Sequence, residues 1–246
     1  MLDVGISMSN KLRNSSTTYL QSCVDIIQMV VQRKMFQSSK DELALILYGS
    51  LQTANELWDE TTNPDCYMHV QVARPLSIAD WNLLEYLQNQ VAATNIQGDI
   101  IDALIVSSNH FHEDLNKKKV FKDKRIMVLT DFSCSTEDDE KLETIIAGLS
   151  KNGIRVDVIT PFSDQDIEES KKEKSKMNGT KNGTNGTASN SSMHDDERKT
   201  LTKEQQNVCE FLKQVCEQTD GAMYSFEEGK KIFLQLMLSS AKIRTI

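Results

Sequence analysis

The chain has 246 residues, 39% of them hydrophobic and 26% charged, with a net charge of −8. That is enough apolar material for one well-buried core, and the acidic balance disfavours a phosphate backbone as the ligand, since such binding draws on Lys and Arg. No apolar run approaches the ~18 residues of a membrane span, and the opening MLDVGISMS lacks the basic-then-apolar pattern of a signal peptide.

Only Met1 and Leu2 precede Asp3. They are too few to cross a sheet, so the first strand is expected to begin upstream of Met1. Tyr19 to Met35 repeats Leu20, Cys23, Val24, Ile27, Val30 and Val31 at helical spacing. Leu43 to Tyr48 is a continuous apolar run closed by Gly49, as in a strand covered on both faces. Tyr67 to Val72 alternates and predicts an edge strand shut by Pro75. Ser77 to Val91 predicts a helix capped by Ser77, and Asp99 to Leu115 a second helix. Ile126 to Thr130 is the next buried strand, ending at Asp131. Ser135 to Asp138 opens a helix that buries Leu142, Ile145, Ile146 and Leu149, with a C-cap at Asn152-Gly153. Ile154 to Thr160 is a third buried strand, ended by Pro161.

Ser163 to Thr200 is almost free of apolar residues and carries NGT repeats. Such a segment cannot offset its ordering entropy, which predicts a disordered loop at about 163–200. Lys203 to Glu217 returns to helix, followed by a short strand near Ala222 to Tyr224 and a helical piece from Glu227 to Met237. Strands alternating with helices predict an α/β fold: a doubly wound, mostly parallel sheet with helices on both faces and one antiparallel edge strand. The whole of 1–246 is expected to form one domain interrupted by that loop.

Five cysteines at wide spacing with no CxxC predict free thiols in a reducing compartment rather than a zinc site. The Asn-x-Ser/Thr tripeptides at Asn178, Asn182, Asn185 and Asn190 matter only in a secreted protein. His69, His110, His112 and His194 form no spaced ligand set. There is neither a GxxxxGK[ST] nor a GxGxxG pattern, and Ser133 and Ser135 have no histidine partner in sequence. No enzyme is expected.

Ligands of open parallel sheets gather at the carboxyl ends of strands, where Asp3 and Asp131 both fall beside serines. Oxygen donors of this kind suit a hard divalent cation, and strand-end carboxylates equally suit the N-termini of neighbouring helices. These residues resemble the metal loop of the von Willebrand factor A domain family, which uses Asp-x-Ser-x-Ser, a Thr and a final Asp. Asp3, Ser7 and Asp131 match. Gly5 stands at the first Ser position, and the Thr position falls near Gly98-Asp99. With those two donors missing, no metal and no cofactor are expected.

KDELALILYG (40–49), DALIVS (102–107), Asp131-Phe132-Ser133, Thr160-Pro161-Phe162-Ser163 and Met223-Tyr224-Ser225-Phe226 together resemble the A domain of the Ku DNA-end-binding family, on its larger-subunit branch. The resemblance covers essentially the whole chain apart from the divergent loop. It implies an adaptor domain outside the DNA-encircling ring, which recruits repair factors with short Ku-binding motifs to double-strand breaks in non-homologous end joining. It also implies a nuclear location, the smaller Ku subunit as partner, contact with DNA ends only through the full heterodimer, and no membrane. By the same resemblance the peptide groove comprises Leu57, Tyr67, Asp99, Asp102 and Ile105, with Met127 as a possible wall. Leu57, Tyr67 and Ile105 offer apolar anchoring, and Asp99 and Asp102 suit Lys or Arg. Leu57 and Ile105 equally suit core packing, and the two aspartates a first-turn dipole role. Two alternatives remain: a metal-dependent adhesive A domain, and a direct DNA contact through the basic cluster Lys117–Lys119, Lys122, Lys124 and Arg125.

Overall fold

Two residues, Leu2 and Asp3, form the central strand β1 and pair on both sides. Leu2 lies opposite Leu47 of β2 (Glu42–Tyr48) and opposite Leu129 of β4 (Lys124–Leu129). The ladder extends to Met1, whose nitrogen donates to Met127 O at 2.7 Å and whose carbonyl accepts from Leu129 N at 3.0 Å. With β3 (Val70–Ile78), β5 (Ile154–Thr160) and β6 (Met223–Ser225) the sheet order is β3-β2-β1-β4-β5-β6. Among the described strands of this sheet, only the β2–β3 pairing is antiparallel. The computed structural model describes residues 1–37, 39–116, 123–136, 142–178 and 200–231.

Because side chains alternate along a strand, each buried run feeds two cores. Ile46, Tyr48, Ile126, Val128, Val156 and Val158 meet α3 (Ile100–Asn116), α4 (Leu142–Lys151) and α6 (Lys203–Gln218) on one face. Leu45, Leu47, Leu129 and Ile159 meet α1 (Tyr19–Phe36) and α2 (Trp81–Asn89) on the other. The continuous apolar runs are thus strands covered on both sides. All five cysteines are free, and all but Cys66 are buried.

Three boundaries depart from the sequence reading. The edge strand β3 begins at Val70, not Tyr67, and runs through Pro75. Its register against β2 shifts between Leu43 and Leu45, which places Pro75 in a bulge on an edge strand, where no ladder hydrogen bond is lost. Helix α2 starts after Asp80, not Ser77. The Asp80 carboxylate caps Leu83 N at 2.9 Å and is also held by Arg74. Finally, part of the predicted disordered loop is helix α5 (Asp164–Asn178).

Local polar chemistry starts α5. Asp166 accepts from Ser163 N and Ser163 Oγ at 2.8 and 2.6 Å, and Ile167 packs on the core. Ser170 Oγ donates to Asp166 O and accepts from Leu201 N, which closes the loop at its base. Ser135 forms an isolated bridge with Asp99 and does not open the helix predicted from Ser135 to Asp138; Glu137 and Asp138, residues 179–199 and most of the last predicted helix lie outside the described residues.

Candidate functional site

The carboxyl ends of β1 and β4 bring Asp3 and Asp131 together as the sequence suggests. Their oxygens are already committed. Asp3 accepts from Gly5 N at 2.9 Å and from Thr130 Oγ1 at 3.0 Å. Asp131 accepts from Ser7 Oγ at 3.0 Å and from the backbone and hydroxyl of Ser133, both at 3.1 Å. Gln205 of α6 ties this cluster to its helix by donating to Asp131 O and Ser133 Oγ, both at 2.9 Å. Burial raises the Asp3 pKa to about 7, and the Asp131 charge adds to the shift; the Gly5 and Thr130 hydrogen bonds oppose it. Asp131 is shifted upward too, chiefly by burial.

The two missing donor positions are filled by backbone. A β-carbon on Gly5 would meet Asp3 Oδ1 and Ile96 O, each at 3.0 Å. Gly49, with φ of +71°, packs against the Gly5 backbone, and Gly98 packs against Gly49. A threonine at 98 therefore has no room, a serine at 5 needs Asp3 Oδ1 and Ile96 O to give way, and this donor set does not fit the divalent cation of the metal-dependent family. Among the described residues no three His, Cys, Asp or Glu side chains come together in a way that could hold a metal.

A second site lies on the flank of the sheet, where residues 49–69 join β2 to β3. Asn55 organises this loop. Its amide donates to Tyr67 O and Val70 O at 3.0 and 2.9 Å, and its carbonyl accepts from the backbone of Leu57 and Trp58. The loop is fastened to α3 by Tyr67 N, which donates to Asp102 Oδ2 at 3.0 Å. Asp99 caps α3 by accepting from Ile101 N and Asp102 N at 2.7 and 2.9 Å. Leu57, Tyr67 and Ile105 are half-buried and pack on the edge of the α3 core.

Of the six groove candidates, Tyr67, Asp102 and Asp99 are linked by hydrogen bonds, and Leu57, Tyr67 and Ile105 pack on the same core. Met127 does not. The alternation of β4 sends it to the opposite face, against the core under α1 and α2. Of the two readings offered for Asp102, the first-turn position is observed, and its carboxylate has a further use, holding the loop through Tyr67 N. Sequence reasoning overlooked Asn55, whose signal is an Asx residue in a long polar loop. His69, read from the sequence only as outside any ligand set, fixes the loop through ring Nδ1, which bonds Ser50 O at 2.9 Å. Of the basic cluster, Lys124 donates to Asn152 O and Arg125 pairs with the buried Asp157, so both are used within the fold. Lys117–Lys119 and Lys122 lie outside the described residues. His110 serves the fold as well, accepting from Leu76 N at 3.2 Å.

Comparison with known proteins accords with this architecture. Residues 1–221 match the family described as the Ku70/Ku80 N-terminal alpha/beta domain. The chain is 32% identical over 228 residues to the X-ray repair cross-complementing protein 5 of Xenopus laevis, covering 93% of this chain and 28% of that protein. It is 27% identical over 168 residues to the ATP-dependent DNA helicase 2 subunit KU80 of Arabidopsis thaliana, covering 65% of this chain and 22% of that one. The chain therefore spans about a quarter of the length of these relatives. A crystal structure of an aerotolerance-related membrane protein from Bacteroides fragilis shares the fold, with a TM-score of 0.53 at 12% identity over 98% of this chain and 96% of that one. With a six-stranded A-type sheet and a family match over most of its length, the chain belongs to the Ku70/Ku80 N-terminal alpha/beta domain family.

Proposed function

We propose that this chain is a protein-binding module of the larger Ku subunit, which brings repair factors bearing short Ku-binding motifs to DNA double-strand breaks during non-homologous end joining. Its place of action is the nucleus, alongside the smaller Ku subunit. DNA ends are met by the full heterodimer rather than by this domain. The module binds and does not catalyse.

The observation that carries this reading is the clasp between Tyr67 N and Asp102 Oδ2. It holds a loop rich in carboxylates against α3 and leaves Leu57, Tyr67 and Ile105 half-buried at the seam. Half-buried apolar side chains beside carboxylates suit a peptide with an apolar anchor and flanking Lys or Arg. The glycine-closed loops at Gly5, Gly49 and Gly98 weigh against the adhesive, metal-dependent alternative. The internal use of Lys124 and Arg125 weighs against a DNA contact through that cluster.

Calorimetric titration with a basic peptide carrying one tryptophan tests the proposal. Saturable binding that Leu57→Ala and Asp102→Lys each weaken about tenfold, or ~1.4 kcal/mol, supports it. Absence of binding, or binding indifferent to both changes, overturns it.

A further inference from the structure

The carboxyl end of the sheet, which in the metal-dependent branch of the fold carries a cation, here carries exposed apolar side chains. Ile6, Leu51 and Met68 are 57%, 68% and 41% exposed. They sit on two loops that touch, Ile6 after β1 and the other two at either end of residues 49–69. Ile6 follows Gly5, whose backbone packs against Gly49, two residues before Leu51. Ser50 N donates to His69 O at 3.0 Å, which sets Leu51 beside Met68.

Met68 is held there by a strained backbone. Its neighbours Tyr67 and His69 both adopt left-handed φ, 56° and 61°, a region that non-glycine residues seldom occupy. Each is pinned. Asp102 and Asn55 hold the N–H and carbonyl of Tyr67, while Thr53 Oγ1 and Ser50 N hold those of His69. Strain that persists because the surroundings over-determine it is characteristic of ligand clamps.

The charge of the loop that carries Leu51 and Met68 has one sign. Residues 49–69 contain Glu56, Asp59, Glu60 and Asp65, all exposed, and no Lys or Arg. A carboxylate-rich loop that also exposes apolar side chains complements an apolar side chain flanked by basic ones.

We propose that the flank groove continues over the carboxyl end of the sheet, so that Ile6, Leu51 and Met68 receive a second apolar side chain of the same extended, basic peptide. This rests on the flank-groove reading above. The old cation face has kept its place as a ligand surface and has exchanged oxygen coordination for apolar contact.

Two synthetic probes test it. One carries a single tryptophan flanked by lysines. The other adds a second tryptophan after a spacer of about four residues, which reaches roughly 14 Å when extended. The two-anchor probe is expected to bind about tenfold more tightly, and the double variant Leu51→Ser/Met68→Ser to remove that advantage. Phe36→Ser, at the exposed far end of α1, leaves both affinities unchanged. Leu57→Ala weakens both probes, because both use the flank. If both probes bind and the double variant leaves the two-anchor advantage intact, the extension is wrong while the flank groove stands. If neither probe binds the unaltered chain, the flank groove fails and the extension with it.

Discussion

A β-carbon placed on Gly98 would stand 2.6 Å from the Gly49 nitrogen and 2.7 Å from the Tyr48 ring. The second and third loops at the carboxyl end of the sheet have closed onto each other, backbone against backbone. The threonine position of metal-dependent A domains falls near Gly98-Asp99, and at Gly98 the chain makes a backbone contact that only glycine permits.

Gly98→Thr is therefore expected to destabilise the fold by about 2–4 kcal/mol and to create no Mg²⁺ site. Urea unfolding measures the first part and calorimetry with Mg²⁺ the second. A stable Gly98→Thr chain with micromolar Mg²⁺ affinity contradicts the closure argument.

Asp3 has a specific pH signature. Its pKa moves from 3.8 unfolded to about 7 folded, so between those values the folded chain keeps a proton that the unfolded chain has released. Its contribution to stability is thus full below about pH 4, falls as pH rises to about 7, and is level above that. Asp3→Asn removes this slope, and relative to the parent it gains stability between pH 5 and pH 8. The gain is at most about 4 kcal/mol and is reduced because Thr130 loses an acceptor. Some slope remains, because Asp131 is shifted in the same direction. Denaturant midpoints across that pH range decide it; parallel curves for parent and variant count against the assignment.

Asp102→Ala removes the acceptor of Tyr67 N. The expected cost is about 1–2 kcal/mol, with the loss concentrated in residues 49–69. Hydrogen exchange at the Tyr67 amide reports it directly. Exchange should quicken there while β4 and β5 amides slow or quicken only with global stability. An unchanged Tyr67 rate would mean that the loop is held by Asn55 alone.

Asp157 is fully buried at the centre of β5, between Arg125 and Arg155, and also accepts from Ala222 N at 3.0 Å. It joins β4, β5 and β6. Asp157→Ala removes the acceptor of the Ala222 amide and the partner of two part-exposed arginines, and should cost about 1–3 kcal/mol in a thermal or urea unfolding experiment. A loss below about 1 kcal/mol would show that the three strands hold without it.

The fold was legible where apolar periodicity is strong. Leu43–Tyr48, Ile126–Leu129 and Ile154–Thr160 lie in strands, and Tyr19–Met35 and Lys203–Glu217 in helices, because burial on two faces or on one stripe writes a pattern into the chain. What escaped was set by local polar chemistry. The Asp80 cap displaced a helix start from Ser77, and the Ser163–Asp166 pair began a helix inside a stretch with hardly any apolar signal. At the candidate site, Asp3, Asp131 and the absent donors could be read from the chain. That glycines had closed the gap could not, because it depends on contacts among residues 5, 49 and 98. Met127 was misjudged for a related reason: it is next to the right residues in sequence, but strand alternation points it through the sheet.

The most direct test of the central claim is to locate the ligand. Amide and methyl chemical shifts of the labelled chain, followed during titration with a basic tryptophan peptide, show which surface responds. Shifts centred on Leu57, Tyr67, Asp102 and Ile105, with Met127 and the α1–α2 face silent, are the predicted result. Shifts centred on Ser7 and Ser133 that require Mg²⁺, with Tyr67 unmoved, would contradict it.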